Sequence, residues 1–100
     1  MYPLEAAAAK IRSHYHDARI LLFGSQAVDT AREDSDIDLC IVLEEPSKRL
    51  LEISRDIRRD IYPILRKSLD ILVYDSKTFK DRSSFPLTLE YEINENAREL

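Results

Sequence analysis

The chain has 100 residues, of which 44% are hydrophobic and 34% charged, and 15 basic against 19 acidic residues give it a formal net charge of -4. That length carries one small core, a single domain over 1–100, and the composition excludes a disordered chain. The acidic balance argues against a broad grip on a nucleic-acid backbone, and no apolar run approaches the roughly 20 residues that span a bilayer.

Residues 3–16 hold an alanine run bounded by Pro3, with Leu4, Ala7, Ala8 and Ile11 at helical spacing, which predicts a first helix with one apolar face. "RILLF", Arg19 to Phe23, is a short apolar run ending at Gly24 and predicts a buried strand, followed by a short helix or loop. "DIDLCIVL", Asp36 to Leu43, predicts a second strand closed by Glu44, Glu45 and Pro46. Ser47 is the expected cap of a long helix reaching about Arg66, with Leu50, Ile53, Ile57, Ile61 and Ile64 as its apolar stripe. Pro63 is expected to kink or end that helix near Ile61 or Tyr62. "LDILVY", Leu69 to Tyr74, predicts a third strand, 75–84 a polar loop, and Pro86 to Ala97 a last helix. Helices interleaved with strands predict an α/β (α+β) fold, a small mixed sheet covered by helices, with a right-handed crossover between the second and third strands.

Cys40 is the single cysteine, so no internal disulfide forms and the residue reads as packing; with an N-terminus unlike a signal peptide, this points to the cytoplasm. Gly24, the single glycine, is followed at once by Ser25. A glycine directly after a strand lets backbone approach a ligand, and the free amides of a helix start can bind phosphate. Strand alternation puts Asp36 and Asp38 on one face and Ile37 and Leu39 on the other. Two like charges so placed repel unless a cation or solvent separates them, and oxygen-only ligands suit Mg²⁺ or Mn²⁺. Asp70 opens the third strand as Asp36 opens the second; if those strands are neighbours, three carboxylates converge at one sheet edge.

Gly24-Ser25, ten residues, then Asp36-x-Asp38, with Asp70 beyond a helix, resembles the signature of the nucleotidyltransferase superfamily related to DNA polymerase beta. The short chain is similar to its minimal nucleotidyltransferase (MNT) branch, from Ile20 to the C-terminus. The resemblance implies metal-dependent transfer of a nucleoside monophosphate, AMP from ATP being the expected case, to a hydroxyl with release of pyrophosphate. It implies Asp36, Asp38 and Asp70 as catalytic residues and Mg²⁺ ligands, Asp70 helping to deprotonate the acceptor, and Gly24 and Ser25 as the seat of the β- and γ-phosphates. It also implies a helical HEPN partner, with the chain as antitoxin of a toxin–antitoxin pair; homo-oligomerisation stays open.

The chain departs from the family run Gly-Ser-Arg-Ala-Arg-Gly, reading Gly24-Ser25-Gln26-Ala27-Val28-Asp29. Both arginines that would counter triphosphate charge are absent. Arg32, Lys77 and Lys80 are the available substitutes, and Phe79 and Phe85 in the polar loop are the residues expected to face a partner. Two readings follow: an enzyme, or a non-catalytic module that neutralises its partner by contact.

Overall fold

A computed structural model describes residues 3–24 and 36–100. The elements run α1 Leu4–His14, β1 Arg19–Phe23, β2 Ile37–Leu43, α2 Leu50–Leu65, β3 Leu69–Asp75, α3 Ser76–Ser83, α4 Leu89–Asn96 and β4 Arg98–Glu99. The sheet order is β3-β2-β1-β4; β1 is antiparallel to β2 and β4, and β2 is parallel to β3 across the α2 crossover. The expected mixed sheet covered by helices is what forms. The segment expected to start a helix after Gly24, with Ser25 and Arg32, lies outside the described residues.

Strand alternation divides the core in two. Ile37, Leu39, Ile41 and Leu43 point to the face covered by α1 and α2, where they pack with Leu4, Ala7, Ala8, Ile11, Ile53, Ile57, Ile61 and Leu65. The opposite face carries a smaller cluster, Leu21, Cys40 and Val42 under Phe79 of α3 and Ile93 of α4. This asymmetry leaves the second face thinly covered.

Four local expectations are corrected. Ser47 does not cap α2: the helix begins at Leu50 behind Arg49, with no side-chain cap. Pro63 does not end it either. The helix runs to Leu65 and closes on Arg66, whose left-handed residue lets its N–H reach the Tyr62 carbonyl. Proline costs this helix one N–H near its end, while the final turn buries Leu65 beside Ile61. Residues 75–84 are not a loop: Asp75 caps α3 by accepting from the Thr78 N–H at 2.8 Å and from its hydroxyl at 2.8 Å. Phe79 is consequently 3% exposed against Tyr74, with ring centroids 5.5 Å apart, and only Phe85, 63% exposed, faces outward. The last helix starts at Leu89, capped by Thr88, rather than at Pro86.

The two-residue strand β4 was not foreseen in the sequence. It ties the C-terminus to β1: the Leu100 N–H bonds the Ile20 carbonyl at 2.9 Å, Arg19 pairs with Glu99 at 2.6 Å, and Arg12 donates to the Leu100 main-chain oxygen at 2.6 Å.

The second face also buries two acids that hold their protons. Burial, then Glu90, pushes the Cys40 thiol from 9.0 up to about 12. Burial, then its hydrogen bond to Glu90 at 2.9 Å, pushes the Tyr74 phenol from 10.0 up to about 12. The native state therefore binds more protons than the unfolded chain above pH 9, so this share of stability is complete below that pH and is lost as pH rises toward 12. Urea midpoints are expected to fall between pH 9 and 11, and less steeply in Tyr74→Phe. A flat wild-type profile over that range would contradict the burial of both groups.

Candidate functional site

The register of three strands builds a row across the thinly covered face. Phe23 of β1 is paired with Asp38 of β2, and Asp38 with Asp70 of β3. Directly paired residues share a face, so the three side chains stand side by side at intervals of about 4.8 Å. The Ile37 N–H bonds the Ser68 carbonyl at 2.9 Å, which pins the start of β2 to the start of β3 and holds the two aspartates level. On the other face their neighbours Ile37, Leu39, Leu69 and Ile71 are buried, so a slip by one residue would drive a carboxylate into the main core.

Gly24 closes the row. Its φ is +76°, and a Cβ placed there would collide with Asp38 Oδ2 and meet Asp38 Cγ at 3.1 Å. The single glycine is thus required twice, for its left-handed backbone and for the space that the Asp38 carboxyl fills. Asp36 lies one residue ahead of β2 and is exposed, while Asp38 is half-buried. Burial first, then the charge of Asp70, then that of Asp36, raises the Asp38 carboxyl above the ordinary carboxylate range. Asp38 therefore feels both other acids, Asp70 as its register partner and Asp36 from just outside the strand.

Among the described residues no three His, Cys, Asp or Glu side chains are gathered into a metal-binding group. The arrangement is an open pair of carboxylates with a third alongside. Such a set fits a hard cation that keeps several of its waters and takes one or two carboxylates, as Mg²⁺ does; the acceptor-only oxygens and the raised Asp38 both favour a cation there.

Of the cations expected from the sequence, the two among the described residues are not at this end. Lys77 and Lys80 are on α3, beyond the C-terminal end of β3, whereas Asp70 is the second residue of that seven-residue strand. A seven-residue strand is about 20 Å long, so neither lysine reaches the row. Among the described residues the fold brings to the carboxylate end Arg58, whose Nη1 donates to the Leu69 carbonyl at 2.6 Å, and the turn Arg66–Lys67–Ser68 between α2 and β3. Sequence reasoning missed Arg58 because it stands on the polar side of a helix, with nothing to distinguish it from Arg55 or Arg59.

The family described as "Nucleotidyltransferase domain" matches residues 4–97 of the chain. No curated protein sequence matches it. Among solved structures, it resembles the crystal structure of a candidate nucleotidyltransferase from Sulfolobus solfataricus, with TM-score 0.56 and 21% identity over 79% of this chain and 68% of that one. At that identity the likeness shows a common fold. Among the described residues no helix is long and apolar enough to cross a membrane.

Proposed function

The chain belongs to the nucleotidyltransferase domain family, and from that membership we propose that it transfers a nucleoside monophosphate, AMP from ATP, to a hydroxyl on a partner protein. The observation that carries this is the level pairing of Asp38 with Asp70 on neighbouring parallel strands, with Gly24 against the Asp38 carboxyl. In the reaction the acceptor oxygen bonds the α-phosphorus, the bond from that phosphorus to the bridging oxygen breaks, and pyrophosphate leaves. Asp36, Asp38 and Asp70 are the residues that would hold Mg²⁺, which when bound neutralises charge on the phosphates. Asp70, exposed at the open end of the row, receives the acceptor proton. Gly24 and Ser25 offer backbone and hydroxyl groups to the β- and γ-phosphates.

Exposed Phe85 and Leu87 near α4 supply apolar surface for a protein partner, for which a HEPN-type helical antagonist in the cytoplasm is the occupant we propose. A second reading, inhibition of that partner by contact alone, is favoured by Gln26 and Val28 in place of two arginines.

The test mixes chain and partner with ATP and Mg²⁺. A mass increase of one nucleoside monophosphate on the partner is expected, with pyrophosphate released in equal amount. Mg²⁺ or Mn²⁺ is also expected to raise the melting temperature, the equivalent of about 2.7 kcal/mol at 100 times its Kd, and Asp38→Asn to remove most of that shift. An unchanged partner mass together with no metal-induced shift would overturn the enzyme reading.

A further inference from the structure

Strand β3 is the last strand on its side of the sheet, and among the described residues no strand pairs with its far edge. Backbone pairing shows which groups face that edge. Ile37 is level with Leu69, yet its N–H bonds the Ser68 carbonyl. In a parallel ladder this turns the groups of Asp70, Leu72 and Tyr74 toward β2 and those of Leu69, Ile71 and Val73 outward. Arg58 takes the outward carbonyl of Leu69. Among the described residues nothing takes the outward N–H and C=O of Ile71 or Val73. We infer that this edge is where the hydroxyl-bearing segment of a protein partner docks, as an added β-strand whose acidic side chains face α2. The inference rests on the nucleotidyl-transfer reading for the role of the hydroxyl, and goes beyond it in stating how the acceptor is held.

The charge beside the edge selects the partner. Leu51, Arg55, Arg58 and Tyr62 recur at helical spacing on α2, and all four are exposed. The bond from Arg58 to Leu69 shows that this flank of the helix lies over the edge of β3. The acids Asp56 and Asp60 lie on the other flank, where they meet Lys48 and His14. The flank above the edge therefore holds two arginines and no acid. Neither arginine has an ion-pair partner among the described residues. An acidic partner strand supplies the missing charges, and Leu51 and Tyr62 offer apolar contacts toward the two ends of the flank.

Position decides where the acceptor stands. Asp70 is the outer end of the row Phe23–Asp38–Asp70. A strand added outside β3 extends that row by one place, so its residue level with Asp70 shares the same face at a distance of about 4.8 Å between strands. A serine, threonine or tyrosine there puts its hydroxyl beside the carboxylate that receives its proton. The residues before and after it turn to the opposite face, the side of Arg55 and Arg58. The partner segment is thus one that alternates, with acids on one face and the acceptor on the other. Main-chain bonds to Ile71 and Val73 hold it whatever its remaining sequence.

The probe is a fluorescent peptide of alternating glutamate and valine with tyrosine at its central valine position, titrated with the full chain and read by anisotropy. Wild type is expected to bind it. Val73→Pro should abolish binding, because proline removes an outward N–H and leaves the ladder to β2 intact. If that variant fails to fold, the same peptide N-methylated along its backbone decides, and it should not bind wild type. Arg55→Glu should weaken the peptide about tenfold, since an attraction becomes a repulsion. Oligouridylate, which carries negative charge without a backbone that can pair, should not bind. Absence of peptide binding by wild type, full binding by a folded Val73→Pro, or oligouridylate bound as tightly as the peptide overturns strand addition and leaves nucleotidyl transfer standing. With ATP and Mg²⁺ the tyrosine of the bound peptide should gain one nucleoside monophosphate. A bound peptide left unmodified by a wild type that modifies its partner overturns the acceptor position. Modification of neither overturns the transfer reading and the acceptor position with it.

Discussion

Asp70→Asn is expected to lower nucleotidyl transfer by about 10²–10⁴-fold, the usual loss when a positioned base is removed, while the protein stays folded. Asp70 is exposed and its neighbours Leu69 and Ile71 carry the packing, so exchanging one carboxyl oxygen for an amide disturbs no core contact. The substitution also removes one of the charges that raise the Asp38 carboxyl, so Asp38 should titrate at lower pH in the variant. A carboxyl-detected NMR titration reads that fall independently of activity. The native state would then hold its Asp38 proton over a narrower range. Since a raised carboxyl lowers stability as pH climbs through its folded value, that penalty should shrink in Asp70→Asn. Inhibition of the partner without nucleotide separates the two readings. If the variant neutralises the partner fully and the wild type shows no transfer, the chain acts by contact; if transfer and neutralisation are lost together, it acts by chemistry.

Gly24→Ala should be the most damaging substitution for its size. The backbone there stands at φ +76°, where a residue with a Cβ is strained by about 1–3 kcal/mol, and the new methyl would enter the space of the Asp38 carboxyl. Part of that cost is steric and specific to Asp38. In an Asp38→Ala background the carboxyl is gone and the remaining Asp38 Cβ lies 3.4 Å from the added methyl, an ordinary contact, so the penalty should shrink toward the backbone strain alone. Denaturant midpoints for the four proteins of the cycle give the coupling directly. Transfer should be lost in all three variants, because the rescue restores stability by deleting a site residue. Additive costs in the cycle would mean that Gly24 and Asp38 are not in contact.

Much of this molecule was readable without coordinates. Apolar spacing located α1, β1, α2 and β3 to within a few residues, because each must bury one continuous face and the periods of helix and strand differ. The alternation in "DIDLCIVL" separated Asp38 from Ile37 and Leu39, and the lone Gly24 before Ser25 marked the end of β1. Those signals are local, written within a dozen residues. Decisions that depend on distant partners were not readable. Helix α3 has no apolar stripe, and it forms on the Asp75 cap and the docking of one ring, Phe79, on Tyr74. Strand β4 is two residues long, too short for any period, and exists because β1 offers it an edge. Pro63 stayed helical because burial of Ile61 and Leu65 outweighed one missing N–H. The direction of β3 sent Lys77 and Lys80 to the wrong end. The row Phe23–Asp38–Asp70 is the clearest case: its residues are up to 47 positions apart, and each strand's pattern specifies a face but no neighbour. Sequence alone determined which faces of α1, β1, β2, α2 and β3 are buried and which residues carry charge at a strand end; register, set by backbone pairing across strands, decided which of those charges meet.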